Sequence, residues 1–241
     1  MFAIADGDAR VAQEAAERVG MRLQERREAL RISWPDIPTA LTRAETARAR
    51  PVVLADMGDN AGGGAPADST FFLQEILKRG MTEIAHGIFW DPVLVTKCQD
   101  DGVGARMRVR LGGKICAEFG KPVDLDVTVR AIRENMTQML VETEMPFGTG
   151  VWLDADGVHL VVSSLRTQNF SPSVYTDLGI DISQMRALIP KSTNHFYQNF
   201  ERISSRVIHV RSPGTVTPDM TIIPFTKRDG NYWPKVENPF N

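Results

Sequence analysis

A chain of 241 residues with 42% hydrophobic side chains can bury one large core or two small ones. Its 28 lysines and arginines nearly balance 30 aspartates and glutamates, leaving a formal charge of −2 with the basic residues scattered along the chain. That excludes the electrostatic footprint of a nucleic-acid binder. Cys98 and Cys116 fit neither a zinc spacing nor a disulfide framework, no apolar run reaches membrane-span length, and Asp6 arrives too early for a signal peptide. The expected setting is reducing and cytoplasmic, without nucleic acid or membrane as partner.

Phe2 to Ala5 reads as a strand that starts abruptly, and Asp6-Gly7-Asp8 as a turn and cap. Val11, Ala12, Ala15, Ala16, Val19, Leu23 and Leu30 then keep helical spacing to about residue 31, opposite a polar face of alternating arginines and glutamates. Trp34-Pro35 breaks this helix, and a short polar helical stretch leads to a boundary at Pro51. Val52 to Leu54 is a buried strand, followed by the loop Gly62-Gly63-Gly64 and a helix. Asp68 and Ser69 are its expected caps, Phe72, Leu73, Ile76 and Leu77 its apolar face, and Gly80 its end. A strand, a glycine loop and a helix N-terminus together suit an anion, because glycines admit a ligand to main-chain N–H groups. The alternative is a tight crossover whose glycines serve packing alone. No nucleotide-binding pattern of either common kind is present.

Glu83 to Phe89 reads as a strand, and Asp91-Pro92 opens a helix from Val93 to about Gln99. From Val103 the period becomes two: Ala105, Met107, Val109 and Leu111 alternate with arginines, and Val123, Leu125, Val127 and Val129 alternate with Asp124, Asp126, Thr128 and Arg130. These strands are expected to pair, arginine opposite aspartate. Val151 to Leu153 and Val158 to Ser164 form a hairpin about Asp156-Gly157. A short helix near Ser173 to Leu178, a strand at Ala187 to Ile189, a helix through Glu201 and a strand at Val207 to Val210 complete an α/β pattern with a mixed sheet.

Polar groups collect where strands end, the rim at which open α/β sheets bind ligands. They are Asp59 and Asn60 with the glycines, Arg166 with Gln168, and Lys191 and Ser192 with His195. Arg166 can fork onto a carboxylate, Lys191 can supply a point charge, and His195 can exchange a hydrogen bond with a substrate amide. His86, His159 and His209 sit inside apolar strands, where a histidine bonded to a neighbour is the expected role. No metal-binding or nucleophile motif occurs, so a hydrolase pairing His195 with a serine is disfavoured.

The run Val52-Val53-Leu54-Ala55-Asp56-Met57-Gly58-Asp59-Asn60-Ala61-Gly62-Gly63-Gly64-Ala65-Pro66-Ala67-Asp68-Ser69-Thr70 resembles the opening of the C-terminal domain of the MlrC (microcystinase C) family of zinc metallopeptidases. Asp91-Pro92, Gly102 to Ala105, Leu111 to Lys114, Ser163 to Gln168 and Lys191 to Phe196 follow in the same order. The resemblance implies an MlrC C-terminal-domain fold over 51–241, with residues 1–50 a remnant of the end of the metal-binding N-terminal domain. It implies zinc in the complete family enzyme and no metal ligand on this chain. It also implies a small peptide or amide substrate, lined by Asp59, Asn60, Gly62, Gly63, Gly64, Ser69, Arg166, Gln168, Lys191 and Ser192, with His195 as catalytic candidate. On this reading the chain is a substrate-closing half, inactive alone, truncated or split from its N-terminal domain, with that domain or self-association covering its first helix. The alternative is a non-catalytic module that binds an anion or a partner.

Overall fold

The structure, a computed structural model, describes residues 1–239; the last two residues of the expected 51–241 domain lie outside the described residues. Its contacts divide the chain into Met1–Trp34 and a larger unit from Pro35 onward. In the first unit, α1 (Ala9–Glu25) is capped by Asp8, whose side chain accepts from the Arg10 N–H at 2.9 Å. No residue of α1 is buried, and it ends earlier than the apolar spacing predicts, giving way to turns. A helix without a packed face has only local hydrogen bonds to hold its last turns. Phe2 to Ala5, expected as a strand, has no regular structure, because a strand needs a ladder partner.

The larger unit begins ahead of the expected boundary at Pro51. In α2 (Ile37–Glu45) the Asp36 side chain caps the Thr39 N–H at 2.9 Å, and Ile37, Ala40, Leu41 and Ala44 are buried. This stretch reads as polar because its exposed face is, yet its small apolar face is part of the core. Arg79 ties it down, reaching the Pro38 carbonyl at 3.1 Å and Glu45 at 3.0 Å.

The remaining elements are β1 (Val52–Asp56), α3 (Phe71–Arg79), β2 (Ile84–Trp90), α4 (Pro92–Asp101), β3 (Arg106–Leu111), β4 (Val123–Leu140), β5 (Thr143–Ala155), β6 (Val158–Ser163), α5 (Ser173–Thr176), β7 (Ala187–Pro190), α6 (Tyr197–Glu201) and β8 (Arg206–Val210). They form one eight-stranded mixed sheet in the order β3-β4-β5-β6-β2-β7-β1-β8. From β6 to β8 every neighbour is parallel, and from β3 to β6 every neighbour is antiparallel. Parallel strands covered on both faces read as unbroken apolar runs, and β1 shows why. Val52 and Leu54 pack with α2, α3 and α4, while Val53 and Ala55 pack on the other side with α5 and α6. The antiparallel wing keeps one wet face, where Arg110 opposes Asp124 at 2.7 Å and Arg108 opposes Asp126 at 3.5 Å, as the alternation predicts.

One feature of this wing was not legible from period alone. Beyond Val129 the pairing of β4 with β5 is interrupted by register shifts and continues to Leu140, so the hairpin runs past the end of β6. There Gln138 is buried and bridges the loop after β6, donating to the Gln168 carbonyl at 2.7 Å and accepting from the Phe170 N–H at 2.8 Å.

Candidate functional site

All the parallel strands end on the same edge, and the loops that leave β1, β6, β7 and β8 are hydrogen-bonded to one another there. Asn60 Nδ2 donates to Thr193 Oγ1 at 2.8 Å, Gln168 Nε2 to Ser192 Oγ at 2.6 Å, and the Gly58 N–H to Ser212 Oγ at 2.8 Å. Three of the sequence clusters are therefore joined. Arg166 joins as well, through Nη1 to the Ala65 carbonyl at 2.9 Å.

Beneath these loops lies a buried ionic centre. Lys191, 1% exposed, donates to Asp59 Oδ2 at 2.8 Å, to the Ser69 carbonyl at 2.8 Å and to Asp56 Oδ2 at 3.3 Å, and its ammonium lies 4.6 Å from the Phe89 ring centre. An ammonium has three N–H donors, and all are used. Lys191 is thus an internal strut and not the point charge for a ligand that its position in the sequence suggests. Burial pulls its pKa down, but Asp59 and Asp56 outweigh that and leave it raised. Burial likewise raises the Asp56 carboxyl, with Lys191 opposing and Asp59 adding to the rise. Ser212 Oγ donates to Asp56 Oδ1.

Asp59 also organises the glycine loop from inside. Its two oxygens accept from the Ala67 N–H at 2.9 Å and the Ser69 N–H at 2.7 Å. Ser69 is buried and takes part through its main chain; the residue preceding α3 is Thr70, which makes no side-chain cap bond. Asp68, the other expected cap, instead folds the distant segment at Lys114, accepting from the N–H groups of Lys114 at 2.6 Å and Ile115 at 2.8 Å. Burial raises its carboxyl despite these bonds.

The anion cradle expected of Gly62, Gly63 and Gly64 is not formed, because their amides are already engaged. The Gly62 N–H donates to Asn60 Oδ1 at 2.9 Å, that of Gly63 to the Asn60 carbonyl at 3.0 Å, and that of Gly64 to the Ala61 carbonyl at 3.1 Å. Seven residues, 64–70, separate this short 3-10 turn from α3, so loop and helix N-terminus do not form one site. Close approach explains the glycines: a Cβ at Gly62 would stand 2.1 Å from Gln168 Oε1, and one at Gly63 would stand 2.9 Å from the Val216 methyls. Packing, the alternative reading, accounts for these two, whereas Gly64 faces open space and is required by its left-handed φ of 100° at the end of the turn.

What faces outward is narrower than the sequence candidates. Asp59, Asn60, Ser69, Gln168, Lys191 and Ser192 are buried, whereas Arg166, His195 and the backbone of Gly62 to Gly64 are exposed. The His195 ring stands edge-on to Phe170 at 6.2 Å. Lys114, outside the candidate set, lies in the segment after β3, is 39% exposed and pairs with Asp91, which follows β2 and caps α4. Asp56 was also missed. An acid closing a buried apolar strand must find a cation, and Val52 to Asp56 carried that signal.

The strand histidines divide. His159 accepts from Trp152 Nε1 at 3.2 Å and His209 meets the Thr193 carbonyl at 3.0 Å, as expected. His86 differs: it is fully buried, neither ring nitrogen has a partner, and it packs edge-on to Phe89 at 4.8 Å and Phe72 at 6.0 Å. Burial, with Lys191 nearby, holds its pKa well below 6.5. A base depressed in the folded state contributes stability above its unfolded pKa and loses it as pH falls. His86→Leu is therefore expected to gain on the native chain by about 1.4 kcal/mol per pH unit below about pH 6.5, until the native imidazole protonates. Urea midpoints measured from pH 7 to 4 check this, and a pH-independent difference would refute it.

The sequence pattern of the family described as MlrC C-terminus matches residues 54–227. The chain belongs to this MlrC C-terminal family. It is 29% identical to Microcystinase C of Sphingomonas sp. over 231 residues, which is 95% of this chain and 45% of that protein. Its fold superposes with a TM-score of 0.81 at 25% identity on a crystal structure from Mesorhizobium sp. BNC1, provisionally described as a metallopeptidase, covering 93% of this chain and 45% of that one. The MlrC-type chain thus spans about half the length of the relatives it matches. Among the described residues no group of three or more His, Cys, Asp or Glu side chains is placed to hold a metal ion, and no helix is long and apolar enough to cross a membrane.

Proposed function

We propose that this MlrC-type chain is the substrate-orienting part of a metal-dependent amide hydrolase acting on small peptides or amides. The carrying observation is that the strand-end rim presents Arg166 and His195 outward while its other candidate residues are locked below, in a fold matched to the family over most of its length. Arg166 orients a ligand by charge and forked hydrogen bonding, and His195 is the group free to hydrogen-bond a reacting amide oxygen. Asp59, Gln168, Lys191 and Ser192 act indirectly, by fixing the loops that carry these two.

The residues here do not fit the family's zinc. The acids nearest the rim already hold Lys191, Lys114 or backbone amides, and among the described residues none joins histidine neighbours in a donor set. The metal donors are assigned instead to the part of the relatives that these residues do not span, and with them the bond-breaking step. The purified 241-residue chain is accordingly expected to take up no stoichiometric zinc and to turn over no peptide or anilide, with or without added zinc. Stoichiometric zinc together with hydrolysis would overturn that division of labour.

A further inference from the structure

Among the described residues of the rim, both lysines are paired with carboxylates and Arg166 is not. Asp56 and Asp59 hold Lys191, Asp91 holds Lys114, and Asp68 accepts from two backbone amides. Arg166 has no such partner: its Nη1 donates to the carbonyls of Ala65 at 2.9 Å and Ala61 at 3.4 Å, and among the described residues no carboxylate pairs with it. Carbonyl dipoles orient a guanidinium without cancelling its charge. Both bonds leave from Nη1, and among the described residues the Nε and Nη2 edge makes no hydrogen bond; this side-by-side pair of N–H groups matches the two oxygens of a carboxylate.

The geometry points to a carboxylate on the ligand itself. The ligand class is an amide that also bears a free carboxylate, such as a short peptide with its C-terminal group intact, gripped by the Nε and Nη2 edge of Arg166. The amide part of this assignment rests on the function proposed above; the carboxylate part rests on Arg166 alone. The guanidinium is held in place before any ligand arrives, since the loop bearing it is fixed by Gln168 on Ser192 and by Gln138 on Gln168 and Phe170. Little side-chain entropy is then lost on binding.

The test uses hippurate, an amide with a free carboxylate, against hippuramide, its neutral counterpart. Each is titrated into the native chain and into R166Q while arginine side-chain Nε–H resonances are followed in the native protein. Hippurate is expected to shift the Arg166 Nε–H signal and to bind at least tenfold more tightly than hippuramide, and R166Q is expected to bind the two equally. If R166Q fails to fold, R166K, which keeps the charge and loses the fork, is expected to lose most of the preference. Equal binding of both compounds to the native chain overturns the carboxylate and leaves the amide-binding function standing. A hippurate preference that persists in the variants, or a larger Arg166 response to inorganic phosphate than to hippurate, also overturns it. Binding of neither compound at millimolar concentration overturns both.

Discussion

Lys191→Met is expected to destabilise the larger unit by about 3–5 kcal/mol, the cost of leaving buried charge without its partner. Methionine fills the volume of the lysine stem, so lost packing is small and the effect isolates the ammonium. Without it Asp59 and Asp56 face each other across a site where both are at most 1% exposed. Asp56, already raised by burial, would take up a proton, and the Ser69 carbonyl would lose its donor. The double variant Lys191→Met with Asp59→Asn removes one charge of each sign and is expected to recover a substantial part of the loss. Urea unfolding at neutral pH measures both proteins; a single variant within about 1 kcal/mol of native would show that the centre does not carry the stability assigned to it. The pH dependence has a definite sign. A lysine whose folded pKa is raised contributes fully below its unfolded value of 10.5 and loses that contribution as pH rises through the folded pKa. Native protein should therefore weaken in alkali relative to Lys191→Met.

Alanine at the positions matching Arg166 and His195, made in a full-length relative that carries the same two residues there, is expected to impair turnover in two separable ways. Removing the arginine takes away ground-state binding, so KM should rise about 10- to 100-fold with a smaller change in kcat. Removing the histidine takes away a donor to a developing oxyanion, so kcat should fall about 10²-fold with KM nearly constant. Both side chains are exposed here, and Arg166 contributes only two bonds to backbone carbonyls, so folding should survive either change. The melting temperature of each variant checks that. Unchanged kinetics in both would remove the rim from the reaction altogether.

Most of the fold is legible in the sequence, because strand and helix assignment follows local periodicity. Val52 to Leu54, Asp91-Pro92, the arginine and aspartate alternation from Arg106 to Asp126, and the turn at Asp156-Gly157 each carry their structure within a few residues. Other elements depended on remote partners. Phe2 to Ala5 reads as a strand and has no ladder, and the polar helical stretch before Pro51 buries Ile37, Ala40, Leu41 and Ala44 in the core. The long arm of β4 passes through polar residues such as Arg133, Glu134 and Asn135 that break the alternation, and is held by its pairing with β5.

For the site, the sequence by itself determined which strand ends bring polar groups to one edge, since buried parallel strands must all finish on the same side of the sheet. It could not determine which of those groups face a ligand. That is a question of where donors and acceptors end, and it was decided by the folded hydrogen-bond pattern, for Lys191 and Arg166 through residues more than 100 positions away. Lys191 is consumed by Asp56 and Asp59, and the glycine amides by the Asn60 and Ala61 acceptors beside them; Arg166 meets only carbonyls. A charged side chain and a glycine loop look the same in sequence whether their hydrogen bonds are open or satisfied, and only the partners that folding brings to them separate the two cases.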